Sequence, residues 1–467
     1  MKQIKKLKSM LKHPQGLSQE YKLTSRIMQG DTWASAMAST QVDSFGKEML
    51  AEEPSFMYKF MGEVPIPILG QVDDIIGVAE AGFKSNQLNA YINVKTSDKE
   101  LQFGPSKCKT MIVSKMKPEQ FQKPEMEVDS WEVVHDENGS MHELFKGKVK
   151  IEEEESLMYL GFMLSKDGVN MKNIIHKQNK TIGTKKQIIK LIEPLGPYTF
   201  EGANIYIHSL LRSTILYAAE AMNNVKEAEY RALESIEESV LTQVFHTKRS
   251  CPKHLLYLEA GIVPARYQVQ RQVLVFLQYI VQQPTNSLMN KMFEAIRKNP
   301  TKGDWASSSI KLVEKFDLNL NLKEIQDMKT SIYKKLVRRQ MHKIAFKDLL
   351  EIQKNKEKGK YIKYDSLQMA DYLLPEAQLN VSEKLDLFAL RTEMNMNPNN
   401  FGRKIYCEKG CQEEQSNFHI YNCFRITKEE TEDKYENILN GTLKQKIQTF
   451  RKFQEKNKNR TQLWDSV

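Results

Sequence analysis

Apolar residues recur at helical spacing over residues 32–50, where Ala38, Val42, Phe45 and Met49 share one face. Asp31-Thr32 can cap the start of that helix. A different pattern follows. Ile66, Ile68 and Leu69 precede Asp73-Asp74, and Ile75, Ile76 and Val78 come after, which predicts strand, tight turn, strand. Residues 85–95 read as a helix, and Lys109 to Ser114 as a strand. A β-hairpin is expected around Glu137-Asn138-Gly139, between Glu132-Val133-Val134 and a later strand near Val149. Tyr159 to Leu164 reads as one further strand, ended by Lys166-Asp167-Gly168.

From about residue 172 to 395 the texture becomes long and helical. Ile205, Ser209, Arg212 and Leu216 begin one helix; Glu234, Glu238 and Leu241 lie on another; Arg266 to Gln283 forms a third. Prolines 194, 197, 252, 264 and 284 mark the breaks. Residues 424–467 are polar, with one amphipathic helix expected at about 443–455. The fold class expected is α+β.

Composition narrows the functional classes. Of 467 residues, 40% are apolar, which is enough material for several cores and excludes a disordered acidic chain. The net charge of +10 makes an anionic partner plausible, with nucleic acid first. Residues 1–30 hold seven basic residues against the single acid Glu20, and read as a solvated basic arm. No apolar stretch follows that arm as a signal peptide requires, and five cysteines do not make a disulfide-stapled module. The longest apolar run, Val273 to Val281, is too short to span a bilayer. The expectation is an intracellular protein, nuclear or cytoplasmic, not secreted and with no membrane partner.

Three groups of residues carry candidate chemistry. Asp73 and Asp74 are adjacent carboxylates at a hairpin tip, which repel each other unless a divalent cation such as Mg²⁺ sits between them. Aspartate is also a good turn former, and that reading stands beside the metal one. Cys407, Cys411, His419 and Cys423 give a C-x3-C-x7-H-x3-C spacing that suits tetrahedral Zn²⁺. Gly410 allows the tight turn between two nearby thiolates, and Arg403, Lys404 and Arg425 lie close in sequence. Cys108 and Cys251 read as ordinary thiols. Finally, residues 329–363 contain 12 basic residues and 3 acids, nearly the whole net excess. Ile332, Leu336, Met341 and Ile344 suggest one apolar stripe there, with Tyr333, Phe346, Tyr361 and Tyr364 interleaved. Lys334, Lys335, Arg338, Arg339 and Lys343 then form either a phosphate-tracking surface or a solvated helix face.

Order and local text together resemble the reverse transcriptases of non-LTR retrotransposons. Met28-Gln29-Gly30-Asp31 looks like the motif that opens the palm helix beside template and incoming nucleotide. Val72-Asp73-Asp74 looks like the metal-binding hairpin. Leu101-Gln102-Phe103 followed by Lys107-Cys108-Lys109 resembles the next palm motif, where a lysine lies near the departing pyrophosphate. Tyr159-Leu160-Gly161 resembles the turn that grips the primer end, and Leu258 to Pro264 a segment of the thumb region. The chain departs from the family pattern at Gln71, where an aromatic residue is usual, and at Thr32-Trp33-Ala34, where Pro-Leu-Ser is usual.

The resemblance spans roughly residues 20–425 and implies an architecture: a basic arm (1–20), a partial palm (21–170) with an antiparallel sheet, and a helical thumb (171–290). A helical basic region (291–400), a zinc knuckle (401–430) and a polar tail (431–467) complete it. It implies RNA template, DNA primer or RNA/DNA hybrid as partners, and deoxynucleotides as the small-molecule substrate. It assigns Asp73, Asp74 and Lys107 to catalysis, and Gln29, Gly30, Asp31, Tyr159, Leu160 and Gly161 to template and primer. Two-metal chemistry also needs an earlier carboxylate, and only 28 residues with the single acid Glu20 precede Gln29. The chain by itself is therefore expected not to polymerise DNA. Two alternatives stay open. One is a non-enzymatic nucleic-acid-binding remnant using thumb, basic helix and zinc motif. The other is a product without a stable fold, because half a palm exposes a sheet edge.

Overall fold

The computed structural model describes residues 8–9, 12–13, 16–17, 21–22, 34–71, 74–80, 82–98, 103–113, 125–135, 141–192, 200–222, 224–245, 247, 251–356, 362–392, 440–449 and 451. The chain is a mixed helix-and-sheet protein that divides into two compact units, Met1–Asp167 and Gly168–Val467. No described helix is long and apolar enough to cross a membrane.

The first unit begins with two minute ladders in the basic arm. β1 (Lys8–Ser9) pairs antiparallel with β4 (Tyr21–Lys22), and β2 (Lys12–His13) with β3 (Gly16–Leu17). Helix α1 (Ala34–Glu52) then buries Val42, Phe45 and Met49, the face its periodicity predicts. Two hairpins follow, β5 (Tyr58–Phe60) with β6 (Val64–Ile66), and β7 (Leu69–Gln71) with β8 (Asp74–Ile76). Ile66 therefore belongs to the earlier hairpin, and only Leu69 opens the strand that leads to the aspartates. Helix α2 (Phe83–Asp98) completes a small core of Val42, Phe45, Met49, Phe56, Met57, Ile68 and Leu88. Lys95 of α2 reaches Glu52 at 2.7 Å and Glu48 at 3.4 Å, tying the two helices together.

The rest of this unit is strand. β9 (Lys109–Thr110) is shorter than its sequence suggests and pairs parallel with β12 (Glu152–Glu153). The long ribbon of β10 (Glu127–His135) and β11 (Met141–Lys150) forms where expected, with a register shift at Ser130/Trp131. β13 (Ser156–Tyr159) and β14 (Phe162–Ser165) are two strands, not one. Leu160 and Gly161 have φ of 46° and 76°, the pair of positive values that a two-residue hairpin turn of type I′ requires. A single continuous palm sheet is not formed. Every ladder among the described residues is two-stranded, and most strands run for two to four residues, too short to recruit further neighbours.

The second unit is helical. α3 (Met171–Ile192) packs on α6 (Glu227–Val244) and on a composite helix. That helix runs from α4 (Phe200–Tyr206) through a π segment (Ile207–Leu211) into α5 (Arg212–Ile215). α7 (Lys253–Ala260) and α8 (Ala265–Val281) follow, each with a proline, Pro252 or Pro264, at its N-cap. α8 is the hub. It buries Val269, Val273, Leu274, Leu277 and Ile280 against α6 and four later helices. Those are α9 (Leu288–Lys298), α10 (Trp305–Lys315), α11 (Leu322–Asp327) and α12 (Thr330–Lys354). Ser287, Asp304 and Asn321 cap α9, α10 and α11 by accepting from backbone N–H groups, which fixes where each helix starts. α13 (Val381–Thr392) carries Phe388 against Phe245, with ring centroids 4.4 Å apart. Residues 443–449 are helical, within the stretch expected from sequence.

One buried cluster ties this unit across long chain separations. Glu259, fully buried at the end of α7, accepts from Tyr364 Oη at 2.5 Å, Tyr372 Oη at 2.8 Å and Arg391 Nη2 at 3.1 Å. The Ala370 N–H donates to the Glu259 carbonyl at 2.9 Å, and Gly261 (φ 66°) passes so close that an added Cβ would lie 2.1 Å from the Met369 nitrogen. Replacing Glu259 with Gln leaves the Arg391 cation buried without its counter-charge. We expect Glu259→Gln to lower the unfolding free energy of this unit by about 3–5 kcal/mol, measured by urea melts. A loss under about 1 kcal/mol would show that the pair is not a main tie.

Candidate functional site

The hairpin that carries Asp74 is seated directly on α1. Gly70 of β7 lies so near the helix that a Cβ there would fall 1.9 Å from Val42 Cγ1. Val42 is β-branched in a helix, and its rotamer gives way only at a cost. Glycine at this position therefore lets strand and helix touch. The register Leu69↔Ile76, Gly70↔Ile75, Gln71↔Asp74 sets Asp74 at the first paired position after the turn, with its side chain exposed. Val72 and Asp73 lie outside the described residues. So do Gln29, Gly30 and Asp31, and the flanking Leu101 and Gln102.

Asp74 has a neighbour from 85 residues later in the chain. Burial, and then the Asp74 carboxylate, push the Tyr159 phenol above the ordinary tyrosine range. The charge on the Asp74 hairpin is therefore felt at the Tyr159-Leu160-Gly161 hairpin. Leu160 holds a left-handed conformation that costs a non-glycine residue about 1–2 kcal/mol. Lys107 is exposed on a short 3₁₀ turn (Pro105–Lys107), and among the described residues it forms no ion pair with Asp74. Lys109 is committed elsewhere, to Glu152 and to Glu154 at 3.3 Å. Burial raises the Cys108 thiol, and Cys251 is buried, so both are ordinary thiols.

The basic stretch forms α12, with its faces rotated from the expected ones. The buried stripe is Tyr333, Val337, Met341, Ala345 and Leu349, every fourth residue. Ile332 is 55% exposed and Leu336 and Ile344 are half-buried, so the expected apolar stripe holds only at Met341. Tyr333 is fully buried and Tyr364 serves Glu259, which removes both from the role of stacking platforms; Tyr361 lies outside the described residues. The cations behave differently. Lys334, Lys335, Arg338, Arg339 and Lys343 are all exposed, and none forms an ion pair among the described residues. Lys335, Arg339, Lys343 and Lys347 repeat at intervals of four and so make a continuous stripe on one helix face.

Cys407, Cys411, His419 and Cys423 lie outside the described residues. Among the described residues no three His, Cys, Asp or Glu side chains converge to hold a metal. Comparison with protein-family models and with curated proteins gave no match.

Sequence reasoning missed the role of Glu259, which is exposed by no local pattern because its partners lie more than 100 residues away. It also missed the need for glycine at 70. We expect Gly70→Ala to destabilise the first unit by about 1–3 kcal/mol through overpacking, and Val42→Ala in the same chain to recover part of that loss. No recovery in the double variant would refute the direct contact. A second outcome concerns charge. Removing the Asp74 carboxylate relieves its repulsion of a Tyr159 phenolate, so Asp74→Asn should lower the Tyr159 pKa while burial keeps it above the usual value. Titration of ¹³C-labelled tyrosines, assigned with Tyr159→Phe, reads this directly.

Proposed function

We propose that the chain is a portion of an RNA-directed DNA polymerase of the non-LTR retrotransposon type, comprising part of a palm, a helical thumb and a helical C-terminal region with a zinc knuckle. The observation that carries this reading is that the Asp74 carboxylate acts electrostatically on the Tyr159 phenol. Two motifs separated by 85 residues lie within electrostatic range of each other, as a catalytic carboxylate and a primer-gripping turn do in the enzymes this chain resembles. The seating of the hairpin on α1 through Gly70 supports the same arrangement, because it fixes the carboxylate on a packed helix.

Asp73 and Asp74 are the residues that would hold Mg²⁺. The described one of the pair is exposed and forms no ion pair among the described residues, as a hard-oxygen donor must be before it binds a cation. When bound, such an ion stabilises charge on a phosphoryl group and lowers the pKa of an attacking hydroxyl. Tyr159, Leu160 and Gly161 would position the primer end, Gln29, Gly30 and Asp31 would shape the template–nucleotide pocket, and Lys107 would offer its charge to the leaving pyrophosphate. Cys407, Cys411, His419 and Cys423 would hold Zn²⁺ by donor type and spacing.

A second reading, nucleic-acid binding without catalysis, is favoured by the α12 stripe. Lys335, Arg339 and Lys343 need neither the hairpin nor a metal to track a phosphate backbone. One set of measurements separates the two. Both readings expect a labelled RNA–DNA hybrid to bind with an affinity that falls steeply with salt. The variant Lys335→Glu/Arg339→Glu/Lys343→Glu should weaken binding more than about tenfold and reduce the salt slope by about three. Only the polymerase reading expects Mn²⁺ to broaden the Tyr159 resonance selectively, and this broadening to vanish in Asp73→Asn/Asp74→Asn. Absence of hybrid binding at low salt removes both readings.

A further inference from the structure

A second group of basic side chains comes from three elements of the helical unit. His208 comes from the π segment, Arg271 from α8, and Arg338 and His342 from α12. The charges acting on the two histidines are alike in sign. Arg212, Arg338 and His342 act on His208; Arg338, Arg212 and Arg271 act on His342. No carboxylate is among them. The Arg212 cation is already neutralised: its Nε donates to Glu237 at 2.6 Å and its Nη2 to the Val263 carbonyl, both within the core. Its Nη1 lies 3.1 Å from His208 Nδ1. A guanidinium only donates, so His208 Nδ1 accepts, and the ring's proton sits on Nε2 as a spare donor.

Arg271 and Arg338 have no such neutralisation. Neither makes a hydrogen bond or ion pair among the described residues, and Arg271 Nε is shielded from solvent with no acceptor. A shielded donor without an acceptor is destabilising, and the Arg338 guanidinium adds repulsion. Beside this cluster runs an open groove of about 560 Å³, lined by His208, Arg212, Gln268, Arg271 and Gln272, with Glu220 at its wall. Glu220 acts on Lys177, the buried lysine of α3. The π segment places His208 on this groove; such insertions recur at functional sites because they re-aim side chains.

We propose that the groove lined by Arg271 and His208 binds a phosphate oxyanion, with the charge of Arg338 contributing to its field. An oxyanion there would face the Arg271 guanidinium and His208, and would offset the repulsion between the Arg271 and Arg338 cations. The chemistry is that of a phosphate group, either free, as in inorganic phosphate or pyrophosphate, or within a nucleic-acid backbone. The site is distinct from the stripe of Lys335, Arg339 and Lys343, which is open to solvent along its length. The inference does not depend on the polymerase reading, because it involves neither Asp74 nor Tyr159.

The test titrates the intact chain, at constant ionic strength, with inorganic phosphate, with pyrophosphate and with a single-stranded oligonucleotide. The imidazole resonances of His208 and His342 are followed by NMR. Binding should raise the pH midpoints of both histidines, and Arg271→Gln and Arg338→Gln should each weaken it about tenfold or more, as loss of a charge-assisted hydrogen bond implies. Arg338 is exposed, so its replacement keeps the fold even if the Arg271 variant does not. Response to inorganic phosphate or pyrophosphate alone assigns the free anion; response to the oligonucleotide alone assigns a backbone phosphate. Histidine midpoints that do not move with any of the three probes overturn the proposal, as does binding unchanged in Arg338→Gln. Hybrid binding that persists while these midpoints stay fixed overturns the proposal and leaves the nucleic-acid reading intact.

Discussion

A carboxylate with no access to water has to be satisfied by its neighbours, and Glu259 is such a carboxylate. Its partners Tyr364, Tyr372 and Arg391 arrive from segments more than 100 residues further along the chain. The Arg391 guanidinium is buried too and lies 5.4 Å over the Tyr372 ring. None of these groups tolerates the interior alone. Together they specify one way for the segment 362–392 to close on the end of α7. The Gly261 turn makes that closure tight, since its backbone meets residues 368–369 directly. Everything α7 and α8 then position, including the groove at Arg271, follows from this closure and from the proline that starts each helix.

The same helices separate two kinds of surface. α12 buries every fourth residue from Tyr333 to Leu349, and the positions between them are half-buried or exposed. One side presents the lysines and arginines of the exposed stripe; another turns Arg338 and His342 toward Arg271 and His208. Charge is thus not spread evenly. In a chain with a net charge of +10, the stretch 329–363 holds 12 basic residues against 3 acids, and repulsion among cations there opposes folding unless a polyanion or an anion compensates it.

Much of this was legible locally. α1 has the apolar period that its packing needs, and the Asp74 hairpin and the long ribbon form around the turns that their sequences mark. The α12 stripe was harder. Ile332 looks like a core residue and Ala345 does not, yet the face with Tyr333, Val337, Met341, Ala345 and Leu349 packs inward, in contact with α7 and α8. The apolar pattern hid the turn at Leu160-Gly161, because leucine is a poor marker of positive φ, although the resemblance marks Tyr159-Leu160-Gly161 as a turn. The π segment has no sequence signature, since Ile207 to Leu211 is compatible with an ordinary helix. Glu259 was hidden for a different reason. A glutamate near a helix end ordinarily faces solvent, and only the arrival of Arg391 makes its burial possible.

The two candidate surfaces differ in what they contribute to the fold, and this bears on how each is interpreted. Asp74 is exposed at a hairpin end, and the hairpin is held by apolar contacts of Ile68, Ile75 and Gly70 with α1. The fold gains nothing evident from its carboxylate, and the Tyr159 phenol is made harder to ionise by it. Aspartate also suits a tight turn, so its place at the hairpin end is compatible with both the turn-forming and the metal-holding reading. The Arg271 guanidinium is partly desolvated and lies within range of the exposed Arg338 cation, so two like charges are held near each other on α8 and α12. That arrangement opposes folding, and it is maintained by the packing of α8 on α12 rather than by any attraction between the charges.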